Sequence, residues 1–180
     1  MFGKTEFFPI AVFIISITAA ATDFFRARIF NWLTLPALVS GIVLSGVFLG
    51  WSGVATSLLG AFVGLLLYGW MFWFKAMGGG DVKLLMALGA WGGVHYVIDV
   101  GIIGVMLGGV MALLMLAFQG VLGSFFRRFY HFLLTVFIKE LEPELPKIDH
   151  HRKMPFGIPI AAAAIWVVLD NPFVKWGVHL

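Results

Sequence analysis

The chain has 180 residues, of which 61% are hydrophobic and 12% charged, with a formal net charge of +3 and no cysteine. Such a composition excludes a soluble globular domain, because charged residues normally cover the outside of one. The lack of cysteine excludes disulfides, thiolate metal sites and a cysteine nucleophile, and a small, scattered positive charge gives no reason to expect nucleic acid as a partner.

Apolar runs approaching the ~20 residues that cross the hydrocarbon layer of a bilayer recur along the chain. They are continuous, without the alternation of a membrane β-barrel. The sequence therefore predicts an all-α, polytopic membrane protein with one membrane-embedded domain over residues 1–180. About six transmembrane helices are expected, at residues 7–22, 33–50, 53–74, 82–96, 98–118 and 156–169.

The first run ends at Asp23, a carboxylate that is costly to place near hydrocarbon and therefore indicates a functional site. One alternative is a surface ion pair with Arg26 or Arg28. Another concerns the whole run, which could be a cleavable signal peptide because Ala19, Ala20 and Ala21 follow the apolar residues. The positive charges follow the run, which is the wrong polarity for a signal peptide.

A second aspartate, Asp81, opens the fourth run directly after Gly78, Gly79 and Gly80. Aspartate is a favoured N-cap, so a purely structural role at the start of a helix is an alternative. Three glycines also let the backbone turn tightly and let another chain approach closely. Elsewhere glycines recur at a spacing of four, as at Gly60/Gly64, Gly89/Gly93 and Gly104/Gly108, which predicts close helix packing.

The longest stretch outside the predicted spans is 119–155, which is expected to be a cytoplasmic loop. Within it, the segment Phe125–Leu141 mixes aromatic and basic residues and is typical of an amphipathic helix on the membrane surface.

Lysine and arginine concentrate on cytoplasmic loops of membrane proteins. With six spans and both termini outside, the cytoplasmic side would receive ten basic residues and the outer side only Lys4 and Lys175. Both Asp23 and Asp81 then lie at the cytoplasmic face. The ten basic residues are Arg26, Arg28, Lys75, Lys83, Arg127, Arg128, Lys139, Lys147, Arg152 and Lys153.

If Asp23 and Asp81 meet, they form a carboxylate pair that shares one proton. The ionised member can take a proton from water while the protonated member polarises a carbonyl group, which hydrolyses a peptide bond without a metal or other cofactor. The position of Asp81 at a helix N-terminus and of Asp23 at a C-terminus favours Asp81 as the base and Asp23 as the acid, although the pair titrates as a unit.

The other titratable residues suggest no comparable site. Asp99 and Asp170 are interpreted as polar groups at helix ends on the opposite face. The five histidines lack the helical spacing with glutamate of a zinc protease, and no nucleotide-binding glycine loop is present.

Three segments together resemble the type IV prepilin peptidases, which are aspartic proteases of the inner membrane. Residues 78–83 are similar to the family signature Gly-x-Gly-Asp-x-Lys. Asp23 is followed six residues later by Ile29-Phe30-Asn31, where the family has Ile-Pro-Asn, and Lys153-Met154-Pro155-Phe156-Gly157 is similar to a segment before the family's last span. The resemblance covers nearly the whole chain; Phe30 in place of proline changes the turn after the first span.

The resemblance implies a short family member without the methyltransferase domain, as in tight-adherence pilus systems, that cleaves prepilin leader peptides at the cytoplasmic face of the inner membrane. Asp23 and Asp81 would be catalytic, with Gly78, Gly80, Lys83, Asn31 and Pro155 shaping the loops or the substrate site. We also expect Lys83, Arg26 and Arg28 to tune the carboxylates or hold lipid phosphates. The implied partners are a prepilin, membrane lipid and the pilus assembly machinery, with no cofactor and no metal.

Three alternatives remain open at this point. Archaeal preflagellin peptidases share the two aspartates. A small ion- or proton-coupled transporter could use the same acids, although such proteins place them near the bilayer midplane and often show inverted repeats. A non-enzymatic subunit of a secretion machine is the third possibility.

Overall fold

A computed structural model describes residues 4–120, 122, 123, 127 and 156–170. The regular elements among them are all helices, as the sequence predicts. The predicted surface helix at Phe125–Leu141 lies almost entirely outside the described residues, and so does Pro155. The helices are α1 (Lys4–Arg26), α2 (Asn31–Trp73), α3 (Gly79–Phe118) and α4 (Gly157–Leu169).

Three of these helices are long and apolar enough to cross a membrane. They provide apolar stretches of 20 residues in α1, 43 in α2 and 40 in α3. The last two are about twice the length that one crossing requires. The fourth helix has only 13 residues, in agreement with the short sixth span that the sequence predicts.

A glycine interrupts each of the two longest helices. Gly50 has φ 64° and ψ −149°, and Gly93 has φ 81° and ψ −170°, conformations that L-residues with a side chain rarely adopt. The chain turns back at both, since a Cβ built on Gly46 would lie 2.9 Å from Val54, and one built on Gly89 would lie 3.1 Å from Val97. With α1 and α4, the described chain therefore contains six apolar helical segments.

The sequence predicts these two interruptions with unequal accuracy. The first was expected at 51–52 and lies beside it, at Gly50. The second was expected at residue 97 and lies four residues earlier, at Gly93, because the glycine pair at 92 and 93 provides the flexible backbone that the turn needs.

The helices bury an apolar core that includes Tyr68, Leu84 and Leu88, and they also expose many large apolar side chains to their surroundings, as expected of helices that face lipid. On α1, Ile10, Ile14 and Ile17 follow one another along an exposed face. The same helix buries Ser16 and Asp23. Buried polar groups therefore share the interior of the described helices with apolar side chains such as Val12 and Ile15.

The predicted close packing at spaced glycines is confirmed except at Gly93, which lies at the turn and has no neighbour within 4 Å of a built Cβ. Gly60 and Gly89 lie backbone against backbone, because a Cβ on either one would stand under 3 Å from the carbonyl carbon of the other. A Cβ on Gly64 would similarly lie 2.9 Å from the carbonyl oxygen of Leu85. Small residues thus allow the second half of α2 to approach the first half of α3 closely.

The described residues up to 108 and those from 156 to 170 belong to one compact unit, and the described residues from 109 to 127 belong to another. The helix α1 packs against both α2 and α4 within the first unit. All the residues of the site described next lie in that unit.

Candidate active site

Asp23 lies near the C-terminal end of α1 and is buried, with 5% of its surface exposed. The helix runs to Arg26, four residues beyond the predicted end of the first span, so that Asp23 lies inside it. Ala27 follows with φ 48° and donates its N–H to the carbonyl oxygen of Asp23 at 2.8 Å. This contact ends the helix one turn after the carboxylate.

The carboxylate of Asp23 is held by a distant part of the chain. Its Oδ2 accepts a hydrogen bond of 2.7 Å from the backbone N–H of Gly157, the first residue of α4, and the backbone N–H of Ile158 contributes as well. Asp23 therefore occupies the N-terminal end of α4 as well as the C-terminal end of α1. A helix N-terminus favours a negative charge.

Asp81 is the third residue of α3 and is buried, with 7% of its surface exposed. Because the helix begins at Gly79, Asp81 is not its N-cap, but its side chain still takes part in capping the helix start. Its Oδ2 accepts a hydrogen bond of 3.0 Å from the backbone N–H of Gly78. A side chain in the first turn that reaches back to the residue before the helix forms half of a capping box.

Both carboxylates thus lie at helix N-termini. The assignment of Asp81 as the base and Asp23 as the acid depended on a contrast between a helix start and a helix end. The contact between Asp23 and α4 removes that contrast. The assignment of the two roles stays a prediction, now without this support.

The two aspartates, 58 positions apart in the sequence, are brought together at one end of the helices. Asp81 lies within the range at which the charge of Asp23 acts on it. Ile29 contacts the backbone next to each of them: a Cβ on Gly80 would lie 3.0 Å from the Ile29 Cβ, and one on Gly157 would lie 2.8 Å from the Ile29 Cδ1. No hydrogen bond joins the two carboxylates directly among the described residues.

The nearby arginines do not pair with the first carboxylate. Within residues 4–120 and 156–170 there is no ion pair between Asp23 and either Arg26 or Arg28, so the ion-pair alternative is not supported. The Arg26 guanidinium instead lies over the Phe30 ring, 5.5 Å from its centroid. It borders an open cavity of about 400 Å³ that is lined by Ala21, Thr22, Phe25, Arg26, Phe30 and Trp32.

Lys83 and Asn31, both predicted to shape the site, contact each other. The Lys83 ammonium donates a hydrogen bond of 2.9 Å to the Asn31 Oδ1. Phe30, which stands where the resemblance expects proline, has φ −85° and ψ 144°. This extended conformation is close to the one that proline imposes, so the replacement changes the side chain more than the path of the backbone.

Asp170 and Asp99, both interpreted from the sequence as helix-end groups, occupy different kinds of position in the structure. Asp170 is the C-cap residue of α4, as its interpretation as an end-of-helix group requires. The same interpretation of Asp99 is wrong, since Asp99 lies six residues beyond Gly93 inside α3 and is only 5% exposed. The error follows from the misplaced second turn. In the described part of the chain, no three histidine or acidic residues are grouped as metal ligands would be.

Sequence reasoning assigned no role to two residues that the structure places at the site. Gly157 provides the N–H that holds Asp23, and Ile29 lies against both Gly157 and Gly80, the residue before Asp81. Both belong to segments that carry the family resemblance. However, almost any residue type can supply a backbone N–H, so the sequence does not indicate that Gly157 is a donor. The packing of Ile29 depends on which distant segments contact each other in the folded chain.

Comparison with known protein families finds a match over most of the chain. A model of the type IV leader peptidase family matches residues 10–138, which include both aspartates. The chain belongs to the type IV leader peptidase family. It is therefore a membrane peptidase, in agreement with its long apolar helices. No curated protein and no solved structure matches the chain.

Proposed function

We propose that this family member is an aspartic endopeptidase that removes the leader peptide of type IV prepilins or prepilin-like proteins. The single observation that supports it best is the convergence of Asp23 and Asp81, two buried carboxylates at one end of the helices. Buried carboxylates in a membrane domain are costly and rare outside functional sites. Family membership supplies the reaction class, which is hydrolysis of a peptide bond.

In the proposed reaction, one carboxylate is ionised and the other carries a proton. The ionised group takes a proton from a water molecule, whose oxygen attacks the carbonyl carbon of the scissile peptide bond. The protonated group donates to the carbonyl oxygen and stabilises the developing charge. The C–N bond then breaks, the new amino terminus receives a proton from the pair, and no covalent intermediate forms.

The membrane arrangement completes the proposal. We propose that all six apolar segments cross the inner membrane, with both termini outside and the aspartates at the cytoplasmic face. The support is the concentration of basic residues at the aspartate end of the described helices, where Arg26, Arg28 and Lys83 lie, together with the positive-inside tendency. A prepilin would then be cut ahead of its hydrophobic segment, and pilus assembly machinery and lipid would be its other partners.

The same site would serve an archaeal preflagellin peptidase. The two candidates differ only in substrate, so a panel with one prepilin and one preflagellin separates them. The alternative of an ion- or proton-coupled transporter that uses the same two aspartates has no comparable support. Both aspartates lie at helix ends, and the family is one of peptidases.

The test is cleavage of a candidate prepilin by the purified protein, followed by gel shift and by mass spectrometry of the new amino terminus. Asp23→Asn and Asp81→Asn should each lower the rate about 10²–10⁴-fold, the usual contribution of a general acid or base. Asp99→Asn is the matched control, because Asp99 is also a buried aspartate in the same unit. It should retain cleavage when membrane abundance is equal.

Processing by Asp23→Asn or Asp81→Asn at the wild-type rate would show that the proposed assignment is wrong. An equal loss of cleavage rate in all three variants would mean that the enzyme is sensitive to the replacement of any buried aspartate. That result would also contradict the assignment of Asp23 and Asp81 as the catalytic pair.

A further inference from the structure

The start of α2 is built in an unusual way. Its N-cap position is occupied by Phe30, which provides no side-chain cap. Asn31, a residue type that favours the N-cap, stands one position later, and its side-chain oxygen accepts the hydrogen bond from Lys83 instead. The side chain of Asn31 is thus used to join α2 to α3, two residues after Asp81.

The loop just before Asn31 contains Ile29, which contacts residues at the starts of both α3 and α4. Ile29 lies against Gly80, where a Cβ would stand 3.1 Å from the Ile29 carbonyl oxygen. It also lies against Gly157, whose N–H holds Asp23. Ile29 therefore contacts both the residue before Asp81 and the residue that donates to Asp23.

We propose that Asn31 and Lys83 are positioning residues, and that their hydrogen bond keeps Ile29 seated between Gly80 and Gly157 and thereby sets the separation of the two carboxylates. This inference rests on the proposed function. The bond connects residues 52 positions apart and lies on the exposed side of the site. The bond acts on the geometry of the site, to which catalysis is sensitive.

The proposal predicts a specific pattern of kinetics for variants that remove one partner while conserving size. Lys83→Met and Asn31→Leu should each lower kcat about tenfold, comparable to the loss of a hydrogen bond to a charged group, with KM nearly unchanged. The double variant should be no slower than the slower single variant, because both changes remove the same bond.

Two further variants separate positioning from other roles. Asn31→Asp keeps the acceptor and should retain most of the activity, whereas it would fail if the amide N–H groups of Asn31 held the substrate. Lys75→Met removes a positive charge from the segment that leads into α3, where no hydrogen bond to Asn31 is made, and should leave kcat unchanged. Independent, multiplicative losses in the double variant, or equal losses in Asn31→Asp and Asn31→Leu, would overturn the proposal.

A measurement that needs no substrate distinguishes failure of this inference from failure of the proposed function. Hydrogen exchange in detergent should be faster for backbone amides of residues 27–34 in Lys83→Met and Asn31→Leu than in the wild type, and unchanged in Lys75→Met. The backbone bonds from Leu33 and Thr34 to the Phe30 carbonyl report on this segment. Unchanged exchange in both variants would overturn the inference even if the peptidase activity is established. Inactivity of the wild type toward every substrate would contradict the proposed function alone.

Discussion

The two aspartates are held in different ways. Asp81 is held by its own loop, through the N–H of Gly78 three residues earlier. Asp23 is held by the first residue of α4, 134 positions away in the sequence. The first arrangement forms as soon as one helix starts, whereas the second exists only after α1 and α4 have packed together. The site therefore depends on tertiary packing for Asp23 and on local structure for Asp81.

Among changes to the support of the two aspartates, the largest loss of cleavage rate should come from disturbing the contact between Gly157 and Asp23. In Gly157→Ala, the added Cβ would stand 2.8 Å from both the Asp23 Oδ2 and the Ile29 Cδ1. Overpacking of this kind displaces neighbours, and a shift of the carboxylate by about 1 Å is expected to lower kcat/KM on the order of 100-fold. Prepilin cleavage by purified variants measures it.

Gly69→Ala is the control for this prediction, because a Cβ there meets nothing closer than 3.5 Å and lies in an ordinary helix. Wild-type rates in Gly157→Ala, at equal membrane abundance, would show that the contact between α4 and Asp23 does not govern the site.

A smaller loss of cleavage rate is expected when the local support of Asp81 is changed. In Gly78→Ala, the new Cβ would lie 3.1 Å from the Asp81 Oδ2, the far end of a side chain that can move by a few tenths of an ångström. The N–H donor remains, so we expect a loss of roughly tenfold or less, as for one weakened hydrogen bond to a charged group. If Gly78→Ala is as damaging as Gly157→Ala in the same assay, the contrast between local and distant support is wrong.

The smallest effect concerns the end of α1. Ala27 has φ 48°, a left-handed conformation that costs an L-residue about 1 kcal/mol and that glycine adopts freely. Ala27→Gly should therefore raise the free energy of unfolding by up to about 1 kcal/mol while leaving cleavage unchanged. Thermal unfolding in detergent measures this change. Ala27→Val should shift the midpoint the other way, and an equal shift in both variants would refute the explanation.

The same contrast explains how much could be predicted from the sequence. Composition and apolar runs predict the helical membrane architecture, and the glycines spaced by four predict the close approach of Gly60 and Gly89. The residues near Asp81 were also recognisable, because its support lies in the same short motif. Only its exact place in the helix was missed, since three consecutive glycines give no sharp helix start.

The errors arise where the answer depends on distant parts of the chain. From the sequence, Asp23 lies only at the C-terminal end of α1, which predicts that it is the acid. Nothing in residues 7–28 indicates that the start of α4 also lies against its carboxylate. The mistaken interpretation of Asp99 came from the turn placed at 97, where the choice between nearby breaks depends on how the two halves of α3 pack. A pattern of residue types does not predict that Gly157 is a backbone donor or that Ile29 is a packing partner at the site.

Both acids are supported by main-chain amides, which every residue except proline can supply. Any substitution other than proline at positions 78 and 157 therefore keeps the donor and only adds bulk. Tolerance of a substitution at those two positions is therefore expected to depend on its volume and not on its polarity. A polar residue as small as serine at 157 should thus be no better tolerated than alanine, an unusual demand for positions that lie against a carboxylate.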